Sequence, residues 1–88
     1  MKVSGLFDVP TVKILLMLAE RSEVRYAELA KAVRSRGTLS ISLRELGEEG
    51  LMERRIVSSK PIQAYYSLTE KGKDVAKSLS ELKRILSK

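Results

Sequence analysis

The side chains with most to offer chemically are cations. Seventeen Lys and Arg stand against eleven Asp and Glu, giving a net charge of +6 and a pI near 9.8. Cysteine and histidine are absent, so structural zinc, thiol redox sensing and Cys- or His-based nucleophilic catalysis lose their usual residues. No carboxylate pair, nucleophile–base pair or phosphate-binding loop emerges, which makes an enzyme the least expected class and leaves no cofactor or metal to assign. What remains is recognition of negative charge. Residues 1–50 hold eight basic and seven acidic side chains, whereas residues 51–88 hold nine and four. The positive field therefore gathers on the stretch LMERRIVSSKPIQAYYSLTEKG at 51–72 and on the tail, which suits a polyanion such as nucleic acid. Charge alone fits a merely basic soluble protein equally well.

The elements that must position these cations can be read from periodicity and punctuation. Eighty-eight residues, 43% of them hydrophobic, suffice for one small core and no second. The longest apolar run, Ile14 to Ala19, is six residues, far short of a membrane span. Met1 to Leu6 has no signal-type hydrophobic region, so the expected location is the cytoplasm, with no membrane partner. No Asn, one Gln and 32% charged residues lean toward a thermophile. Asp8 and Pro10 mark a helix start, and TVKILLMLAER carries that helix to about residue 21. Ser22 to Arg25 is a connector with room for one bridge of strand. Tyr26 to Val33 is a short second helix. Ser35 is placed to cap a third, TLSISLRELGEE, whose Leu39, Leu43 and Leu46 form one stripe and which Gly50 ends. Leu51–Val57 and Ile62–Leu68 are β-prone around a Ser58–Pro61 corner. Thr69 caps a last helix, about 70–86.

The order α-α-α-β-β-α is mostly α with a small β-hairpin. Two short helices across a four-residue turn form a helix-turn-helix, whose second helix can enter a DNA major groove. A hairpin directly after that helix is a wing, able to reach the backbone or minor groove alongside. Arg-Tyr-Ala-Glu-Leu at 25–29, Leu-Arg-Glu-Leu-Gly-Glu-Glu-Gly-Leu-Met-Glu-Arg at 43–54 and Pro-Ile-Gln-Ala-Tyr-Tyr-Ser-Leu-Thr-Glu-Lys-Gly at 61–72 resemble the HxlR-type winged-helix regulators, close relatives of the MarR type. The resemblance implies a prokaryotic, homodimeric transcription factor on a pseudo-palindromic operator. Members often carry a redox-sensitive cysteine near the N-terminus; this chain has none, so thiol sensing is not carried over. The missing Cys and His also disfavour a metal sensor of the related ArsR type. The short tail after residue 72 leaves no room for a separate ligand-binding domain, and no effector is indicated.

On the third helix, at about 100° per residue, the side opposite the leucines carries Gly37, Ile41, Arg44 and Glu48, flanked by Thr38, Ser40 and Glu45. The expected DNA contacts are Arg36, Thr38, Ser40, Ile41 and Arg44. Arg44 is the candidate for a guanine edge, which an arginine fork fits; its bland alternative is a surface pair with Glu48. The resemblance places Arg54 at the arginine that follows Gly-Leu, ahead of Arg55. Ser58, Ser59 and Lys60 form the wing tip and face phosphate or sugar, or simply blunt a strand edge. Tyr66 is expected to pack rather than stack on bases, and Tyr26 to staple the second helix or sit beside a phosphate.

Val75, Leu79, Leu82 and Leu86, spaced four, three and four apart, make a short coiled-coil seam. Together with Leu15 and Leu18 of the first helix they are the expected dimer surface; a tail packed back on its own domain is the alternative. The reading is thus one winged-helix domain, 1–88, with 70–88 used in dimerisation, regulating transcription on double-stranded DNA. Non-specific chromatin coating and a protein-interaction module stay open beside it.

Overall fold

A computed structural model of the chain describes residues 8–58 and 60–88. The expectations on Met1–Leu6 and on Ser59 lie outside them. The elements run α1 (Val9–Glu20), β1 (Val24–Arg25), α2 (Tyr26–Ala32), α3 (Arg36–Glu48), β2 (Met52–Val57), β3 (Gln63–Leu68) and α4 (Glu70–Leu86). The winged helix-turn-helix order holds, with a two-residue strand, β1, added after α1. That strand pairs antiparallel with β3 (Val24↔Tyr66, Arg25↔Tyr65). The sheet order is therefore β1-β3-β2.

Side-chain caps start α1, α3 and α4, and a glycine turn ends α3. The Asp8 carboxylate accepts the Thr11 N–H at 3.0 Å and caps α1, with proline in its first turn. Ser35 Oγ accepts the Thr38 N–H at 3.2 Å, and α3 begins at Arg36, two residues ahead of the expected start. At its end Gly50 takes φ +72°. The Leu51 N–H reaches the Leu46 carbonyl at 3.0 Å, and the Gly50 N–H reaches that of Gly47 at 3.1 Å. This pair of bonds is a Schellman turn, and its usual hydrophobic contact comes from Leu46 and Leu51, both fully buried.

The core lies where α1 meets α3, α4 and β3. Here one expectation is corrected. Sequence places Leu15 and Leu18 on a dimer surface, but they are 1% and 2% exposed in the chain alone. The reason is the central place of α1: neighbours pack on several of its sides, so its surplus of apolar residues is taken up by its own domain.

The Leu-Thr-x-x-Gly stretch at 68–72 closes the fold. Thr69 Oγ1 accepts the Gly72 N–H at 3.1 Å and donates to the Gly50 carbonyl at 2.6 Å. The Thr69 N–H donates to the Leu51 carbonyl at 3.1 Å. Lys71 Nζ donates to the Glu49 carbonyl at 3.1 Å, placing positive charge on the negative end of α3. Gly72 is buried, and a Cβ there would lie 1.9 Å from the Leu51 carbonyl oxygen. Backbone against backbone cannot give way cheaply. Gly72→Ala is therefore expected to cost about 3 kcal/mol in urea denaturation. Gly47→Ala, with open space around its Cβ, is expected to be neutral or stabilising by up to ~1 kcal/mol.

Candidate nucleic-acid interface

Helix α3 has two sharply different sides. Leu39, Ser42 and Leu46 are buried, while Arg36, Gly37, Ser40, Ile41, Arg44 and Glu48 are exposed. Thr38 and Leu43 lie at the border, half-buried. Ile41 is 49% exposed, so the core does not account for its apolar side chain. Arg44 stands 3.7 Å from Glu48, with both side chains about two-thirds exposed. Such a surface pair is worth a few tenths of a kcal/mol and gives way readily to a stronger anion.

Helix α3 also meets α1 through a buried polar pair that periodicity alone does not reveal. Thr11 Oγ1 on α1 donates to Ser42 Oγ on α3 at 3.1 Å, and both residues are buried. A low-dielectric setting makes that bond directional and costly to lose. The available signal was the place of Ser42 between Leu39 and Leu46 on the inward stripe.

The wing separates its two arginines. Arg54 pairs with Tyr66 across the strands and Arg55 with Tyr65, and successive strand residues face opposite ways. Tyr66 is 5% exposed and packs inward as expected. Arg54, on that side, lines a groove of about 600 Å³ between α3 and the wing, together with Tyr26, Ser40, Arg44, Met52 and Tyr66. The rings of Tyr26 and Tyr66 are 6.5 Å apart and tilted, a favourable aromatic geometry that holds the start of α2 to the sheet.

Arg55 is engaged elsewhere. Its Nε donates to Glu23 Oε2 at 3.0 Å and its Nη2 to Oε1 at 2.8 Å, while its guanidinium lies 4.8 Å from the Tyr65 ring centroid. The hydrogen bonds from Arg55 hold the Glu23 carboxyl below its ordinary 4.5, and Glu23 in turn raises Arg55. A depressed carboxyl contributes above the ordinary carboxylate range, and the contribution is lost as pH falls through the lowered value. Arg36, Arg54 and Lys60 form no ion pair with any described residue. Ser58 and Lys60 are exposed at the wing tip.

The model of the HxlR-like helix-turn-helix matches residues 10–88. The chain belongs to the HxlR-like helix-turn-helix family. It is 33% identical over 73 residues to YdzF, an uncharacterised HTH-type transcriptional regulator of Bacillus subtilis (strain 168), covering 81% of this chain and 67% of the relative. It is 37% identical over 62 residues to a second such regulator of that strain, YvaP, covering 68% of this chain and 57% of YvaP. Among solved structures, a transcriptional regulator homologue from Pyrococcus horikoshii OT3 superposes with a TM-score of 0.82 at 25% identity, covering 99% of this chain and 89% of the other.

In this HxlR-like chain the expected dimer seam divides in two. Val75 and Leu79 rest half-buried on the chain's own core. Leu82, Ile85 and Leu86 are 52%, 55% and 75% exposed. With Val12 and Leu16 of α1, Leu79, Leu82 and Leu86 border an apolar groove of about 470 Å³. No described helix is long and apolar enough to cross a membrane.

The Thr11–Ser42 bond gives a direct test of how α3 is held. Thr11→Val leaves the Ser42 hydroxyl without its partner and is expected to cost about 1–3 kcal/mol by chemical denaturation. Adding Ser42→Ala removes the orphaned group and should recover much of that loss, a coupling that a double-mutant cycle reads directly.

Proposed function

We propose that this chain is a sequence-specific transcriptional regulator that binds double-stranded DNA as a homodimer. Helix α3 enters the major groove, and the β2–β3 wing lies on the backbone or minor groove beside it. The observation that carries the reading is the shared groove: Ser40 and Arg44 from α3 and Arg54 from the wing border one opening. Arg36 stands at the start of the same helix. Arg44 reads a guanine edge, Ile41 meets a thymine methyl, and Thr38 and Ser40 contact phosphate or base. Arg54, Ser58, Ser59 and Lys60 hold phosphate and sugar, fixing register rather than sequence. Glu48 borders the same groove beside its partner Arg44, and with Glu45 and Glu49 it lies toward the far end of α3, where repulsion from phosphate is less severe.

The second copy of the chain covers the exposed apolar end of α4 and the half-buried Val12 and Leu16 of α1 beside it. Leu82, Ile85 and Leu86 are exposed, and Leu82 and Leu86 share an apolar groove with the half-buried Val12 and Leu16, a surface that a second subunit would cover. A two-fold axis through this surface sets the two α3 helices to read half-sites roughly 34 Å, one helical turn, apart. Residues 9–88 then act as one DNA-binding unit, with α4 serving the dimer as well.

Selection from a pool of random duplex DNA tests the reading. A two-fold symmetric motif, bound at least about a thousand-fold tighter than scrambled duplex, is the expected outcome. On that motif Arg44→Ala should relax specificity at one position by about 1–3 kcal/mol, and Lys60→Ala should flatten the salt slope by about one charge. Leu82→Lys should yield monomers in sedimentation that occupy single half-sites weakly. Tight binding without a motif would instead indicate non-specific coating of DNA, and no binding at low salt would indicate a protein partner.

A further inference from the structure

The sheet changes width part-way along the wing. β1 spans only Val24 and Arg25 and supports β3 at Tyr66 and Tyr65. Beyond that row the wing is two-stranded, ending in the pairs Ile56↔Ala64 and Val57↔Gln63. A two-stranded hairpin with nothing packed on it is marginal in water, and Ile56 at 48% exposure is evidence of how little covers this one. The last fully supported row is Arg25–Tyr65–Arg55, one residue from each strand. Glu23, which precedes β1, meets Arg55 on the far strand through two hydrogen bonds, and the Arg55 guanidinium sits by the ring of the intervening Tyr65.

We propose that Glu23 and Arg55 are positioning residues that clamp the wing where the sheet narrows from three strands to two, setting the angle at which Arg54 meets DNA. The proposal rests on the DNA-binding reading above and adds to it a residue, Glu23, that lies off the recognition surface. A bidentate carboxylate–guanidinium pair has the geometry to hold an angle, as a single contact does not. The Tyr65 ring limits the guanidinium further through its π face.

The sign of one substitution separates this role from simple charge. Deleting a carboxylate from a DNA-binding protein ordinarily tightens binding and steepens its salt dependence, because repulsion falls and a cation is freed. The clamp predicts the opposite. Glu23→Gln should weaken binding to the selected duplex by about two- to five-fold, the range expected of a well-formed exposed ion pair. In an Arg54→Ala background the same substitution should change little, because the side chain being positioned is gone. Hydrogen exchange of the free protein supplies a readout without DNA: the amides of residues 55–57 and 63–64 should exchange faster in Glu23→Gln, with those of α1 unchanged. The charge-swapped pair Glu23→Arg with Arg55→Glu should restore slow exchange. Tighter DNA binding with a steeper salt slope, or unchanged exchange in the wing, would overturn the clamp. If wild-type protein binds no duplex, the regulator reading fails, while the exchange experiment still decides whether the clamp exists.

Discussion

Everything that could reach DNA in this chain diverges from one backbone contact, the first turn of α4 pressed against the Leu51 carbonyl. Helix α3 ends there in the Gly50 turn, β2 leaves from the next residue, and α4 starts where Thr69 caps it and bonds the Gly50 carbonyl. Only a residue without a Cβ allows the approach, because the nearest atom would lie at 1.9 Å. Helix α3, the wing beside it and the C-terminal helix are therefore tied to one another at a single joint. A change of angle at that joint moves all three, and for this reason a glycine far from any proposed contact matters to function.

Electrostatics then sorts the cations left on the surface. Arg21, Arg25 and Arg55 are tied to Glu28 or Glu23 around β1, and Arg84 to Glu81 on α4. Arg36, Arg54 and Lys60 keep no acidic partner among the described residues. Among the described arginines the unpaired ones are Arg34, Arg36 and Arg54, in the turn before α3, at its start and on the wing, whereas unpaired lysines are spread over α1, α2 and α4 as well. Ion pairs at the surface contribute little to stability; here their larger effect is to decide which arginines remain available.

Local chemistry explains what could be read from sequence. Capping by Asp8, Ser35 and Thr69 and the left-handed Gly50 are decided within a few residues and stand as expected. Of the α3 leucine stripe, Leu39 and Leu46 are buried, while Leu43 is half-buried and Ser42 takes the inward place. Strand β1 is legible only as room for a bridge, because two residues carry no periodicity and its pairing depends on β3, some forty residues on. The assignment of Leu15 and Leu18 to a partner failed for a related reason. A helix apolar on several sides is buried on several sides, but sequence does not say by what. The Thr11–Ser42 bond and the Glu23–Arg55 pair join residues more than thirty positions apart, and neither a hydroxyl nor a surface charge announces its partner.

The central claim is that α3 lies in the major groove with the wing beside it, and the absence of cysteine makes this directly measurable. Single-cysteine variants at Ile41 and Lys60, each carrying a DNA-cleaving iron chelate, would be placed on the selected duplex and the cut positions mapped on both strands. The account predicts that the Ile41 variant cuts within each half-site with the strand offset of the major groove, and that the Lys60 variant cuts at its flanks. Cutting by the Lys60 variant inside the half-sites and by the Ile41 variant outside them, or uniform cutting by both, would contradict it.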